Sequence, residues 1–177
     1  MGADLFKSDT AFRSLVGLAS EWVGEDLESI CLRGPEKKLV RSKFLQPLLV
    51  AVSLGYLRHL TERGVNPDVV LGHSLGEITA LAAAGIVTPE EAVRIAARRG
   101  VLMEGAARKT AGAMLAVILE DRAKLLAWLA SPAASHRVVL ANDNAPNQVV
   151  LAGERSALTA CASSGRASAY PALAVAA

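Results

Sequence analysis

The sequence predicts an α/β protein in two parts, and three observations carry that expectation. First, a short β-branched run, Asp68-Val69-Val70-Leu71, leads into Gly72-His73-Ser74-Leu75-Gly76-Glu77 and then into an apolar helical stretch, Ile78 to Ala84. Strand, tight turn centred on serine, then helix is the context of a nucleophile elbow on an α/β-hydrolase-like core. Second, from Gly112 onward the pattern becomes β-α-β-β-α, the order of a ferredoxin-like unit that lacks its last strand. Third, 177 residues with 52% hydrophobic content suffice to bury a core in one domain or a compact pair. Aromatic content is only 4%, so Ala, Leu and Val must fill that core.

Taken in order, Ala11 to Val23 reads as an amphipathic helix, with Ser8, Asp9 and Thr10 as capping candidates. Gly24 to Lys38 reads as a loop with a short helical turn. Pro47 to Arg63 reads as a helix, with proline at its first position and Gly64 just past its end. Its first half is apolar all round, which implies burial on several sides. Val69 to Leu71 is the expected strand, Leu75 to Ala84 the helix after the elbow, and Gly85 its stop. Thr88-Pro89-Glu90-Glu91 is a capping box that opens a long helix through Met103.

Thr110-Ala111-Gly112 is a break that divides an α/β core subdomain, 1–109, from a small subdomain, 110–177. There Met114 to Leu119, Val138 to Ala141 and Gln148 to Leu151 read as strands. Asp121 to Leu129 and Ser156 to Ser163 read as helices. The tail, Ser168 to Ala177, is Ala-rich and carries no clear motif.

Composition excludes little but does so cleanly. Net charge is +2, from 19 basic and 17 acidic residues, which gives no argument for a nucleic-acid or membrane partner. The N-terminus has no basic start followed by an apolar core, and the apolar run Pro47 to Leu54 is too short to span a bilayer. Cys31 and Cys161 lack metal or redox spacing, so no metal site is expected and both read as free thiols in a reducing cytoplasm.

The chemistry centres on Ser74. A serine hydroxyl needs exposure, a base and donors for the oxyanion. The elbow supplies the first, with Gly72 and Gly76 expected to permit the tight turn and close helix packing. The Leu75 N–H, at a helix start, supplies one oxyanion donor, an interaction worth about 3 to 4 kcal/mol of barrier. Arg99 is the second candidate. The helix after Ser74 spans roughly 15 Å, and Arg99 lies roughly 16 Å into the next one. If the two are antiparallel neighbours, Arg99 returns to the level of Ser74 and could hold a substrate carboxylate. On geometry alone, a solvated arginine like Arg94, Arg98 or Arg108 is the alternative. No base is evident. His59 beside Arg58 reads as solvated, His73 as a structural group pointing away from Ser74, and His136 as a loop residue.

At these residues the chain resembles the acyltransferase family that includes malonyl-CoA:acyl carrier protein transacylase and polyketide synthase acyltransferase domains. Leu45-Gln46-Pro47 is similar to the family's Gln-Pro helix start, and Pro67 to Glu77 to its strand and elbow. Arg99-Gly100-Val101-Leu102-Met103 resembles its Arg-Gly-x-x-Met segment, and Gly112-Ala113-Met114 the start of its small subdomain. Ala141 to Gly153 is similar to its Asn-x-Asn-x-Pro-x-Gln hairpin.

The resemblance covers about residues 1 to 166 and implies an α/β-hydrolase-like core with an inserted ferredoxin-like small subdomain, both incomplete here. It implies a ping-pong transfer of malonyl from coenzyme A, through a Ser74 ester, to the phosphopantetheine thiol of acyl carrier protein. No cofactor is implied; the coenzyme A thioester is substrate. Ser74 would be the nucleophile, Leu75 an oxyanion donor, and Arg99 and Gln46 the acyl-binding residues. Gly72, His73, Gly76 and Asn142 would support elbow and pocket. Leu75 resembles malonyl-type members rather than methylmalonyl-type ones.

Two family features are not matched. A Gly-Gln-Gly-Ser segment would precede Met1, and a His-Ser segment with the catalytic histidine would follow the small subdomain. A truncated or frameshifted gene model is the simplest expectation, and residues 1 to 177 are expected to have little or no transacylase activity. The alternatives are a serine hydrolase sharing the elbow, and a non-catalytic fragment or half of a split enzyme.

Overall fold

The structure, a computed structural model, describes residues 1–109, 112–118, 121–132, 134, 137–163 and 168–169. Expectations placed on His136, on Thr110-Ala111 and on the tail beyond Ala169 lie outside these residues. The chain divides into two compact units, Met1–Gly105 and Ala106–Ala177.

Among its described residues the first unit is helical. Its elements are α1 (Ala3–Ser8), α2 (Thr10–Val23), α3 (Leu27–Arg33), α4 (Glu36–Leu39), α5 (Ser42–Thr61), α6 (Leu75–Ala83) and α7 (Pro89–Lys109), the last running on into the second unit. Asp9 caps α2 by accepting from the Phe12 N–H at 2.7 Å. Asp26 caps α3 by accepting from the Ser29 N–H at 2.9 Å. The region 24–38, expected to be mostly loop, is therefore largely helical. Helices of seven and four residues are too short to show a helical period in sequence.

At α7 both reciprocal bonds of the capping box form, Thr88 N–H to Glu91 at 2.8 Å and Glu91 N–H to the Thr88 hydroxyl at 3.1 Å. The core gathers Leu5, Phe12, Leu27, Phe44, Leu48, Val50, Val93 and Ala96 from all along this unit.

Two expectations are corrected here. The helix expected to begin at Pro47 begins at Ser42, so Pro47 sits inside α5. Its ring costs one helical hydrogen bond near the N-terminus, where few have yet formed. The segment Val69–Leu71 is not a strand. Val69 is 78% and Leu71 89% exposed, and among the described residues no strand pairs with them. Strand identity depends on a hydrogen-bonded neighbour, which a β-branched run cannot supply by itself.

The second unit contains β1 (Gly112–Ile118), α8 (Arg122–Leu129), β2 (Val138–Ala145), β3 (Gln148–Glu154), α9 (Arg155–Ser163) and β4 (Ser168–Ala169). The sheet order is β2-β3-β1-β4, with every pair antiparallel. The fourth strand corrects the expectation that the last strand is missing. At two residues it is too short to show a period-two pattern. Leu115 and Val117 of β1 alternate inward onto Leu125, Trp128, Val149, Leu151 and Leu158. The β2–β3 hairpin shifts register between Leu140 and Asn142 and again between Asp143 and Ala145. Arg122 holds this hairpin through a two-pronged pair with Asp143. Cys31 and Cys161 are both buried, and among the described residues neither is in a disulfide.

Candidate active site

Ser74 is the residue before α6 and adopts φ 54° and ψ −110°. It is the one described non-glycine residue with positive φ. Such a conformation costs on the order of 1–3 kcal/mol and persists only where its surroundings impose it. The turn imposes it through the Gly76 N–H on the His73 carbonyl at 2.9 Å and the Glu77 N–H on the Ser74 carbonyl at 3.3 Å. A methyl at Gly72 would stand 2.0 Å from the Gly76 carbonyl carbon, so only glycine fits there.

Gly76 behaves differently from expectation. A methyl there meets nothing within 4 Å among the described residues, so close packing is not its reason. Ser74 and His73 are exposed. The Leu75 N–H opens α6, where the helix dipole concentrates positive charge.

Arg99, on α7, reaches this turn. Its Nη2 donates to Ser74 Oγ at 2.8 Å and its Nη1 donates to Gln46 Oε1 at 2.7 Å. Gln46, on α5, is 7% exposed, and its Nε2 donates to Met103 Sδ at 3.1 Å. Arginine has no acceptor, so the amide oxygen must face Arg99 and the amide nitrogen must face sulfur. Ser74, Arg99, Gln46 and Met103 thus form one hydrogen-bonded chain across α5, α6 and α7. A guanidinium has more donors than these two contacts use, so the Ser74 side of Arg99 can still receive a planar anion.

Met103 is not among the site residues expected from the sequence. The signal was present, since Met103 follows Arg99 by one helical turn and shares its face.

Two further polar groups shape this unit. Arg41 donates through Nε at 3.2 Å and Nη2 at 2.8 Å to Glu104, which is 8% exposed. Burial pushes the Glu104 carboxyl up, but Arg41 and the Lys43 N–H together hold it below the ordinary carboxylate range. His59, expected to be solvated, instead places Nε2 3.1 Å from Asp9 Oδ2. Asp9 is fully buried and also pairs with Arg58. A buried carboxylate needs hydrogen-bond partners for its oxygens, and sequence spacing alone does not reveal which groups supply them. His59 is therefore committed away from the turn. Among the described residues, Arg99 is the one hydrogen-bond partner of Ser74 Oγ.

Asn142 belongs to the other unit, where it is half-buried on β2 beside the first register shift. Among the described residues no helix is long and apolar enough to cross a membrane.

The acyl transferase domain profile matches residues 1–175. The polyketide biosynthesis malonyl CoA-acyl carrier protein transacylase PksC of Bacillus subtilis is 35% identical over 164 residues, covering 92% of this chain and 54% of the relative. The malonyl CoA-acyl carrier protein transacylase of Escherichia coli is 34% identical over 176 residues, covering 97% and 57%. The solved complex of a type II polyketide acyl carrier protein with its malonyl-transacylase superposes with TM-score 0.80 at 34% identity, over 100% of this chain and 58% of that one. The chain thus spans just over half the length of these relatives.

Proposed function

The chain belongs to the acyl transferase domain family, and from that premise we propose that its Ser74 turn carries malonyl between coenzyme A and acyl carrier protein. Ser74 Oγ attacks the thioester carbonyl, the C–S bond breaks, and the coenzyme A sulfur leaves as thiol with the serine proton. The resulting ester is then cleaved by the phosphopantetheine thiol of acyl carrier protein, which returns the proton to Ser74. The Leu75 N–H stabilises the oxyanion in both halves. Arg99 turns its donors from Ser74 Oγ to the malonyl carboxylate, and Gln46 keeps the guanidinium in plane for a two-pronged contact.

The supporting observation is the 2.8 Å contact of Arg99 with Ser74 Oγ, backed by Gln46. A cation at that spot favours an acyl group that bears its own anion and gives no advantage to a neutral ester. Gly72, His73 and Gly76 act as elbow support in this reading, and a role for Asn142 rests on the family resemblance alone. We also read 1–109 as an α/β-hydrolase-like core and 110–177 as a ferredoxin-like subdomain, the latter supported by the sheet order β2-β3-β1-β4. The thioester substrate is cytoplasmic, in fatty acid or polyketide synthesis.

Among the described residues no histidine is hydrogen-bonded to Ser74 Oγ, whose partner is Arg99. The 177-residue chain alone is accordingly expected to acylate slowly, down by on the order of 10⁴–10⁶. The test is transfer of labelled malonyl to acyl carrier protein. Slow labelling that vanishes in Ser74→Ala supports the reading, and labelling that persists in Ser74→Ala sinks it.

A further inference from the structure

The crossing of α5 and α7 is pinned at three places. At its centre Gly100 approaches so closely that a methyl on it would stand 2.4 Å from the Ser42 carbonyl oxygen. To one side lies the Arg99–Gln46 bond at 2.7 Å. To the other lies Glu104, gripped by Arg41. The Lys43 backbone N–H, one of the donors that the start of a helix leaves without an internal partner, also helps to hold the Glu104 carboxylate ionised. Arg41, the residue before α5, offers no side-chain cap of its own. Its guanidinium lies 5.2 Å from the centroid of the buried Phe44 ring, which limits its freedom to swing.

From these contacts we propose that Glu104 is a positioning residue for the acyl-binding arginine. With Arg41, it stops α5 from pivoting about Gly100. Glu104 lies four residues along α7 from Gly100, and Gln46 four residues along α5 from Ser42, roughly 6 Å in each case. A pivot at Gly100 that opens the Glu104 side therefore shifts Gln46 relative to Arg99 by a comparable amount. Arg99 then loses the acceptor that sets its plane, and with it the alignment needed for a carboxylate. Acyl groups without a carboxylate do not use that alignment. The role rests on the malonyl reading above.

The experiment follows Ser74 acylation of the full chain by intact-protein mass, with malonyl-CoA and separately acetyl-CoA, in wild type, Glu104→Gln and Glu104→Ala. Thermal melts are recorded for each. The expected result for Glu104→Ala is a malonyl-to-acetyl rate ratio lowered about tenfold, with the acetyl rate nearly unchanged. Glu104→Gln keeps a side-chain acceptor and is expected to lower the ratio only about threefold.

If Glu104→Ala does not fold, Glu104→Gln decides. An unchanged ratio in a folded variant, or two rates that fall together with the melting temperature, overturns the positioning role. A wild type without preference for malonyl overturns the malonyl reading itself, and the positioning role with it.

Discussion

Ser74, Gly72 and Gly76 make different demands on the same turn. Ser74 holds φ 54° because Gly72 lets the start of α6 fold back onto it. Gly72→Ala is expected to destabilise the chain by about 3 kcal/mol or more, since backbone atoms rather than a flexible side chain stand in the way. Gly76→Ala is expected to be neutral or stabilising by up to about 1 kcal/mol, the usual gain of alanine over glycine in a helix. Urea unfolding of the two variants checks the contrast, and equal losses would contradict it. Arg99→Ala is expected to slow malonyl labelling of Ser74 about 10- to 100-fold while leaving acetyl labelling close to wild type. Arg99→Lys is expected to recover little, because an ammonium cannot contact Gln46, Ser74 and a carboxylate in one plane. Recovery of the wild-type rate by lysine would argue that charge alone suffices.

The elements were legible where a local signal exists. Asp9 before α2, the Thr88–Glu91 box before α7 and Gly85 after α6 all announce helix ends in sequence, and the structure uses each one. Helix rise could bring Arg99 to the level of Ser74 only if the two helices were antiparallel neighbours, and on geometry alone a solvated arginine stayed open. The start of α5 was not legible, because Arg41 before it pairs with Glu104, more than sixty residues away. The commitment of His59 to Asp9 was hidden for the same reason, being a contact across fifty residues.

These buried carboxylates have a pH consequence. Burial pushes Asp9 up, but Arg58, the Phe12 N–H and His59 more than offset it, so Asp9 and Glu104 both titrate below the ordinary range. The unfolded chain then takes up these protons first, at about pH 4. Their stabilisation is complete above that value and is lost as pH falls through the lower folded values. The melting temperature is expected to be flat from about pH 7 to pH 5 and to drop below about pH 4. Asp9→Asn is expected to melt lower at neutral pH and to show a shallower acid drop. A melting temperature that rises on acidification would contradict this assignment. Asp9→Ala, which strands Arg58 and uncaps α2, is expected to cost about 3 kcal/mol.

At the scale of the molecule, the first unit presents a shaped, strained serine with an arginine in contact, and the second a four-stranded antiparallel sheet with its own core. The expected strand before Ser74 depended on neighbours that the sequence does not identify, and Val69 and Leu71 are accordingly exposed. In the first unit Arg99 contacts both Gln46 and Ser74, the arrangement on which the proposed selectivity rests. The central claim is that this arrangement selects an acyl group bearing a carboxylate. The most direct measurement is the rate of Ser74 acylation of the chain by malonyl-CoA against acetyl-CoA, read by intact-protein mass and peptide mapping. Malonyl labelling confined to Ser74 and at least about tenfold faster than acetyl is the result predicted. Equal rates, or labelling elsewhere, would contradict it.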